Sequence, residues 1–188
     1  RNKLYGQTEN VDNLWRESLN ELPNSPHKAV MLGISSDCGG GILRGANWGP
    51  LFVRSALIDQ HPECHSFDLG DVRVIPHLLH DKYLNDATIS NCQKALYGNE
   101  NNDYYVSPLS ITEDVCDSFY ATFKDKGIFG IGGDHSISYP LTKAYLKAKR
   151  EQGKRTAIIH FDAHTDLLVE RLGIDLCFGS WCTHILEF

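Results

Sequence analysis

The chain has 188 residues, 41% of them hydrophobic and 22% charged, an ordinary globular composition that supports one sizeable core. A net charge of −6, with no cluster of Lys and Arg, argues against a nucleic-acid partner. No run of roughly eighteen apolar residues is present to span a membrane, and the opening RNKLYGQTEN lacks the apolar stretch of a secretory signal.

Residues 1–27 are polar, carry Pro23 and Pro26, and read as an arm leading into a domain over 28–188. Ala29 to Ile34 reads as a short buried strand that enters the glycine-rich loop CGGGILRGANWGP (38–50). GPLFVRSALID then predicts a helix with Pro50 in its first turn. CHSFDLGDV (64–72) predicts an edge strand and turn, and the asparagine-rich residues 81–107 an irregular surface insertion. ITEDVCDSFYATFKDKG (111–127) predicts an amphipathic helix that ends at Gly127.

Two strand–loop–helix units follow. GIFGIGG (127–133) reads as a short strand, and 136–153 as a helix with Ile137, Leu141, Ala144, Tyr145 and Ala148 at three- and four-residue spacing. RTAIIHF (155–161) is the strongest strand pattern in the chain. Short apolar strands alternating with helices predict an α/β fold with a mainly parallel sheet covered on both faces. Six cysteines (Cys38, Cys64, Cys92, Cys116, Cys177, Cys182) form no CxxC pair and read as reduced thiols in a cytoplasmic protein. Cys177 and Cys182 lack partners at the spacing of a thiolate metal site.

Chemistry concentrates at two strand ends. After the apolar run AIIHF come Asp162, His164 and Asp166, two residues apart each. In extended chain they would point the same way, at the carboxyl end of a strand where open α/β sheets place ligands. Carboxylates with imidazole suit Mn²⁺, Fe²⁺ or Zn²⁺. Alternatively, the acids cap the next helix and His164 fills a polar niche. In the second cluster, GIGGDHSISYP (130–140), Asp134 and Ser136 read as helix caps, which leaves His135 either a ligand or a satisfied turn histidine.

GGDHS (132–136) and DAHTD (162–166) resemble two signature motifs of the ureohydrolase superfamily, the arginases, agmatinases and formimidoylglutamases. The segment 32–57 is similar to the family's N-terminal stretch, in particular Asp37, Arg44, Gly45, Gly49, Pro50 and Arg54. The resemblance implies a three-layer α/β/α fold and a binuclear Mn²⁺ centre. His135, Asp162 and Asp166 would ligate one ion, while Asp162 would bridge to a second that His164 also binds. It further implies a homo-oligomeric hydrolase in which hydroxide attacks the central carbon of a small guanidino or formimino substrate, releasing urea or formamide.

Two departures from the family pattern stand out. The later motif SxDxDxxDP, whose aspartates complete both metal shells, does not occur, so the resemblance implies a chain truncated before its third metal motif, with the C-terminal part of the fold missing. Two Mn²⁺ ions would then face only the carboxylates of Asp162 and Asp166, leaving two positive charges unbalanced. In LCFGSWCTHI (176–185), Phe178 stands before Gly179 where the family usually has a histidine, and His184 does not match that position. The competing expectation is a non-catalytic member that uses the fold for association or regulation. A metal-dependent deacetylase of related fold is a third, which lacks its usual histidine pairs here.

Overall fold

Five of the six residues of the central strand β1 (Ala29–Ile34) are buried. Successive side chains of a strand face opposite ways, so burial along its length requires cover on both faces of the sheet. In the computed structural model, which describes residues 9–63, 67–75, 77–100 and 102–188, β1 pairs in parallel with β2 (Phe67–Val72) and β3 (Gly127–Gly132). The order is β2-β1-β3, with β2 at an edge as expected. Residues 64–66 of the expected edge strand, Cys64 among them, lie outside the described residues.

One face of the sheet carries Val30, Leu32 and Ile34. They pack with Leu109, Cys116 and Phe119 of α4 (Pro108–Thr122) and with Ala144 and Ala148 of α5 (Ser138–Glu151). Gly33 looks the other way, towards Arg54 of α2 (Gly49–Gln60). A Cβ on Gly33 would stand 1.8 Å from Asp71 Oδ1 and 2.9 Å from Arg54 Nη1, so the residue must be glycine. Helices therefore lie on both faces, giving the α/β/α layering of the fold.

Arg54 is buried, and an unpaired guanidinium there would be very costly. Its Nε and Nη2 donate to Asp68 Oδ2 and Oδ1 at 2.6 and 2.9 Å, Nη1 to Asp71 Oδ1 at 2.5 Å, and Nη2 also to Gly70 O at 2.8 Å. This bidentate fork fastens α2 to β2 across Gly33. The same edge strand holds α1 (Val11–Glu21) through Trp15, whose Nε1 donates to Leu69 O at 3.0 Å, and the fully buried Leu22 follows it into the core. No helix among the described residues is long and apolar enough to cross a membrane.

Three expectations need correction. Residues 81–107 are not an irregular insertion, because they carry a 3-10 turn (Asp81–Tyr83) and helix α3 (Asp86–Tyr97). Asn85 caps α3, its side chain accepting from Thr88 N at 2.9 Å, and Gly98 ends it with φ 72°. Helix α4 begins earlier than expected, at Pro108, and ends at Thr122, since Gly127 is the first residue of β3. The backbone N–H groups of Val106 and Ser107 both donate to the Asp81 carboxylate, which fixes the entry to α4.

The third correction concerns the strongest strand pattern. Residues 155–161 form no strand, and their apolar side chains are exposed, Ile159 by 78% and Phe161 by 93%. Pattern alone cannot make a strand. A ladder partner is also required, and among the described strands the sheet stops at β3.

The fork predicts the cost of cutting it. Arg54→Ala leaves Asp68 half-enclosed without its partner and should lower the unfolding free energy by about 3–5 kcal/mol, read from urea unfolding. A loss below about 1 kcal/mol, the scale of an exposed pair, would show that the fork is not a structural tie.

Candidate metal centre

The turn after β3 is shaped to lie on the exit of β1. Gly133 N and Asp134 N donate to Ile34 O and Ser36 O, each at 3.0 Å, and a Cβ on Gly133 would meet Ser36 O at 2.0 Å. Asp134 is buried and serves the backbone, its Oδ1 accepting from Ser136 N at 2.9 Å and its Oδ2 facing Ser36 Oγ at 3.4 Å. That is the capping role its position suggested. The glycine-rich loop presses on the same turn. A Cβ on Gly39 would meet Ser136 Oγ at 2.3 Å, and the loop curls around Asp37, whose Oδ2 accepts from Gly45 N at 2.8 Å. His135 therefore leaves the carboxyl end of β3 in a fixed direction.

His135 meets the DAHTD segment there. Its Nδ1 lies 3.0 Å from Asp162 Oδ2 and 2.9 Å from Asp166 Oδ2. Asp166 is 7% exposed and has φ 52°, a left-handed conformation uncommon outside glycine that Asp tolerates better than most residues. To the same oxygen, Asp166 Oδ2, Trp181 Nε1 donates at 2.8 Å. Trp181 opens the short helix α6 (Trp181–Glu187).

Potential ligand atoms of His135, His160, Asp162 and Asp166 all lie within 4.8 Å of one another. Three of the four residues expected from the sequence thus come together. The fourth, His164, stays outside the group: its side chain is 82% exposed, with Nδ1 3.5 Å from Asp162 Oδ1. Sequence reading missed His160, taking it as an ordinary strand residue. Its place two residues before Asp162 was the available signal, because that spacing puts both side chains on one side of extended chain.

The electrostatics favour cation binding. A hydrogen bond from the His164 main-chain N–H, 2.9 Å from Oδ1, holds the Asp162 carboxyl below the ordinary carboxylate range, and the His135 and His160 imidazoles add to this. Two carboxylates, one of them buried, beside two imidazoles form a mixed N/O donor set that fits a divalent transition ion. Among the described residues no cysteine joins the group, and Cys92, Cys116, Cys177 and Cys182 form no disulfide. Phe178 N donates to Gly39 O at 3.0 Å, and its ring lies 4.9 Å from the Arg171 guanidinium carbon. His184 is occupied elsewhere, with Nε2 2.9 Å from Asp175 O and its ring edge-on to Tyr139.

Comparison with known proteins identifies similar chains and folds. A sequence model of the Arginase family matches residues 27–187. An agmatinase from Neisseria gonorrhoeae (strain NCCP11945) is 32% identical over 170 residues, covering 87% of this chain and 49% of its own length. An agmatinase from Bacillus subtilis (strain 168) is 42% identical over 69 residues, 36% of this chain and 22% of that protein. The chain thus spans about half the length, or less, of these relatives. Among solved structures, formimidoylglutamase from Bacillus subtilis subsp. subtilis str. 168 superposes with a TM-score of 0.60 at 20% identity, over 86% of this chain and 44% of that one. A putative agmatinase from Clostridium difficile gives 0.59 at 17% identity, over 86% and 50%.

The wall that carries Trp181 is latched at Asp175. Burial raises the Asp175 carboxyl, but Lys82, 2.6 Å from Oδ2, and the Tyr83 hydroxyl, which donates to Oδ1, outweigh it and bring the pKa to about 2. The Asp175 carbonyl takes Ser180 Oγ at 2.5 Å, and Leu176 N donates to Tyr83 Oη at 2.9 Å. Because the folded-state pKa is depressed, the latch stabilises the fold fully above about pH 4 and loses its contribution as pH falls towards about 2. The gap in melting temperature between the chain and Asp175→Asn should therefore be widest near neutrality and close at about pH 2. A gap that persists at that pH would mean the carboxylate's charge is not what holds the wall.

Proposed function

Because the chain belongs to the arginase family, we propose that it acts as a divalent-metal-dependent hydrolase of a non-peptide C–N bond in a small guanidino or formimino compound. The observation that carries this reading is the convergence of His135 with Asp162 and Asp166 at the carboxyl edge of the sheet, where the two motifs supply a mixed imidazole and carboxylate set. In this reading His135, Asp162 and Asp166 would hold one ion, and His164, beside Asp162, would be a donor for a second. Mn²⁺ is the proposed metal, consistent with N/O donors and no thiolate.

When bound, the metal would supply the positive charge that makes water nucleophilic near neutral pH and stabilises the charge developing at the attacked carbon. The chain's own residues set the stage for this. Asp162, kept ionised by the His164 N–H, provides a negative anchor at any physiological pH. Asp166 is fixed by the Trp181 N–H and screened from water by the indole. Water adds to the central carbon, and the bond from that carbon to the substrate's amine breaks, leaving urea or formamide.

The sequence relatives are named agmatinases, which supports a guanidinoalkylamine such as agmatine as the first substrate to try. A formimino acid comes next. A cytoplasmic location and a homo-oligomeric assembly belong to the same proposal. A second reading, a non-catalytic member, draws support from Phe178, whose ring under Arg171 places no titratable group at that point of the wall.

Two measurements test the reading. Asp162→Asn, which removes the carboxylate shared by both proposed ions, should leave the protein without bound metal after dialysis against Mn²⁺ and elemental analysis. Unchanged metal content would overturn the assignment. Release of urea from agmatine, or of formamide from a formimino acid, by the manganese-loaded chain favours the hydrolase. Metal binding with no turnover of either favours the second reading.

A further inference from the structure

His160 and Trp181 lie together beneath the two carboxylates. Their rings meet edge to face at 5.1 Å and 80°, and each also packs against the His135 ring, at 5.5 and 5.2 Å. Trp181 Nε1 donates to Asp166 Oδ2 at 2.8 Å. His160 Nε2 lies 3.4 Å from Asp162 Oδ2 and has no hydrogen-bond partner, although it is sealed from solvent. An imidazole nitrogen enclosed in that way is costly unless something completes it. The nearest carboxylate oxygen is that of Asp162, and a shift of a few tenths of an ångström would complete the bond.

His160 Nε2 faces the Asp162 carboxylate, and its ring packs against Trp181 and His135, a position from which it can donate to that carboxylate. The indole N–H of Trp181 is a donor only and cannot ligate a cation. Each ring can therefore present an N–H to one carboxylate oxygen, His160 to Asp162 Oδ2 and Trp181 to Asp166 Oδ2, which fixes that carboxylate's orientation.

Resting on the metal-binding reading above, we propose that His160 and Trp181 are positioning residues, an aromatic floor whose two N–H groups hold Asp162 and Asp166 in the orientation that receives the metal. Groups that orient metal-binding side chains from behind typically alter metal affinity about 10–100-fold when removed. Neither residue would touch the metal or the substrate.

The test is a set of four proteins: the chain, His160→Ala, His160→Gln and Trp181→Phe. Mn²⁺ affinity is read by isothermal titration, and the melting temperature of each metal-free protein is recorded alongside. Trp181→Phe keeps an aromatic ring while losing the N–H and part of the indole's bulk, so it should bind Mn²⁺ about 10–100-fold more weakly at an unchanged ion count. His160→Ala should weaken affinity over the same range, and His160→Gln, which restores a donor, should recover much of it. Metal-free melting temperatures should not follow this order, as they would if both residues only packed the core.

Affinities equal to the chain's in both Trp181→Phe and His160→Ala overturn the floor while leaving the metal site standing. Loss of an ion from the stoichiometry in His160→Ala makes His160 a ligand and overturns it too. Failure of the chain itself to bind Mn²⁺ removes the metal reading and the floor with it.

Discussion

Burial of a single strand along nearly its whole length governs this molecule. Once β1 is covered on both faces, its neighbours run parallel to it, and parallel strands release their chain at the same edge. The glycine-rich loop after β1 and the GGDHS turn after β3 consequently share one edge. The close approach of Gly39 to Ser136 and of Gly133 to Ser36 follows from that sharing. The site is thus a product of topology before it is a product of any one side chain. Its chemistry then depends on placing carboxylates where the sheet's carboxyl edge already gathers loops.

Much of this could be read in the sequence because the signals were local. The strand Ala29–Ile34 is a continuous apolar run bounded by polar residues, and Pro50 marks the start of its helix, so both appear where expected. The GGDHS turn behaved likewise. Its glycines are needed at named close approaches, and Asp134 caps the backbone, which left His135 as the member free for other work. Arg54 was visible only as part of a family resemblance. Its reason for being there is a buried fork onto Asp68 and Asp71, partners that no local pattern connects to it.

The errors have two sources, local polarity that reads as irregularity and outcomes decided by residues distant in sequence. Helix α3 was hidden by its polarity, since asparagines that look like loop residues include the cap at Asn85. The segment 155–161 has every compositional mark of a buried strand, yet a strand exists only through pairing, and no described strand lies beside it. His160 went unnoticed because it looks like strand filler in the linear text. Only its rings-and-carboxylate surroundings, with Trp181 arriving from more than a dozen residues downstream, give it meaning. His164, in turn, was placed by motif alone, while in the structure its main-chain N–H, rather than its imidazole, makes the close contact with Asp162.

The outer edge of β3 has a consequence for the protein as a material. No described strand pairs with it, Phe129 on it is 60% exposed, and further along the chain Ile158, Ile159 and Phe161 form an exposed row of β-forming residues. Unpaired amides beside β-branched and aromatic side chains are a template for intermolecular β-pairing. No lysine, proline or bulge blunts β3 itself, whose six residues are GIFGIG. Pairing capacity at that rim is a property of strand geometry, carried by backbone amides, and is independent of the chain's net charge.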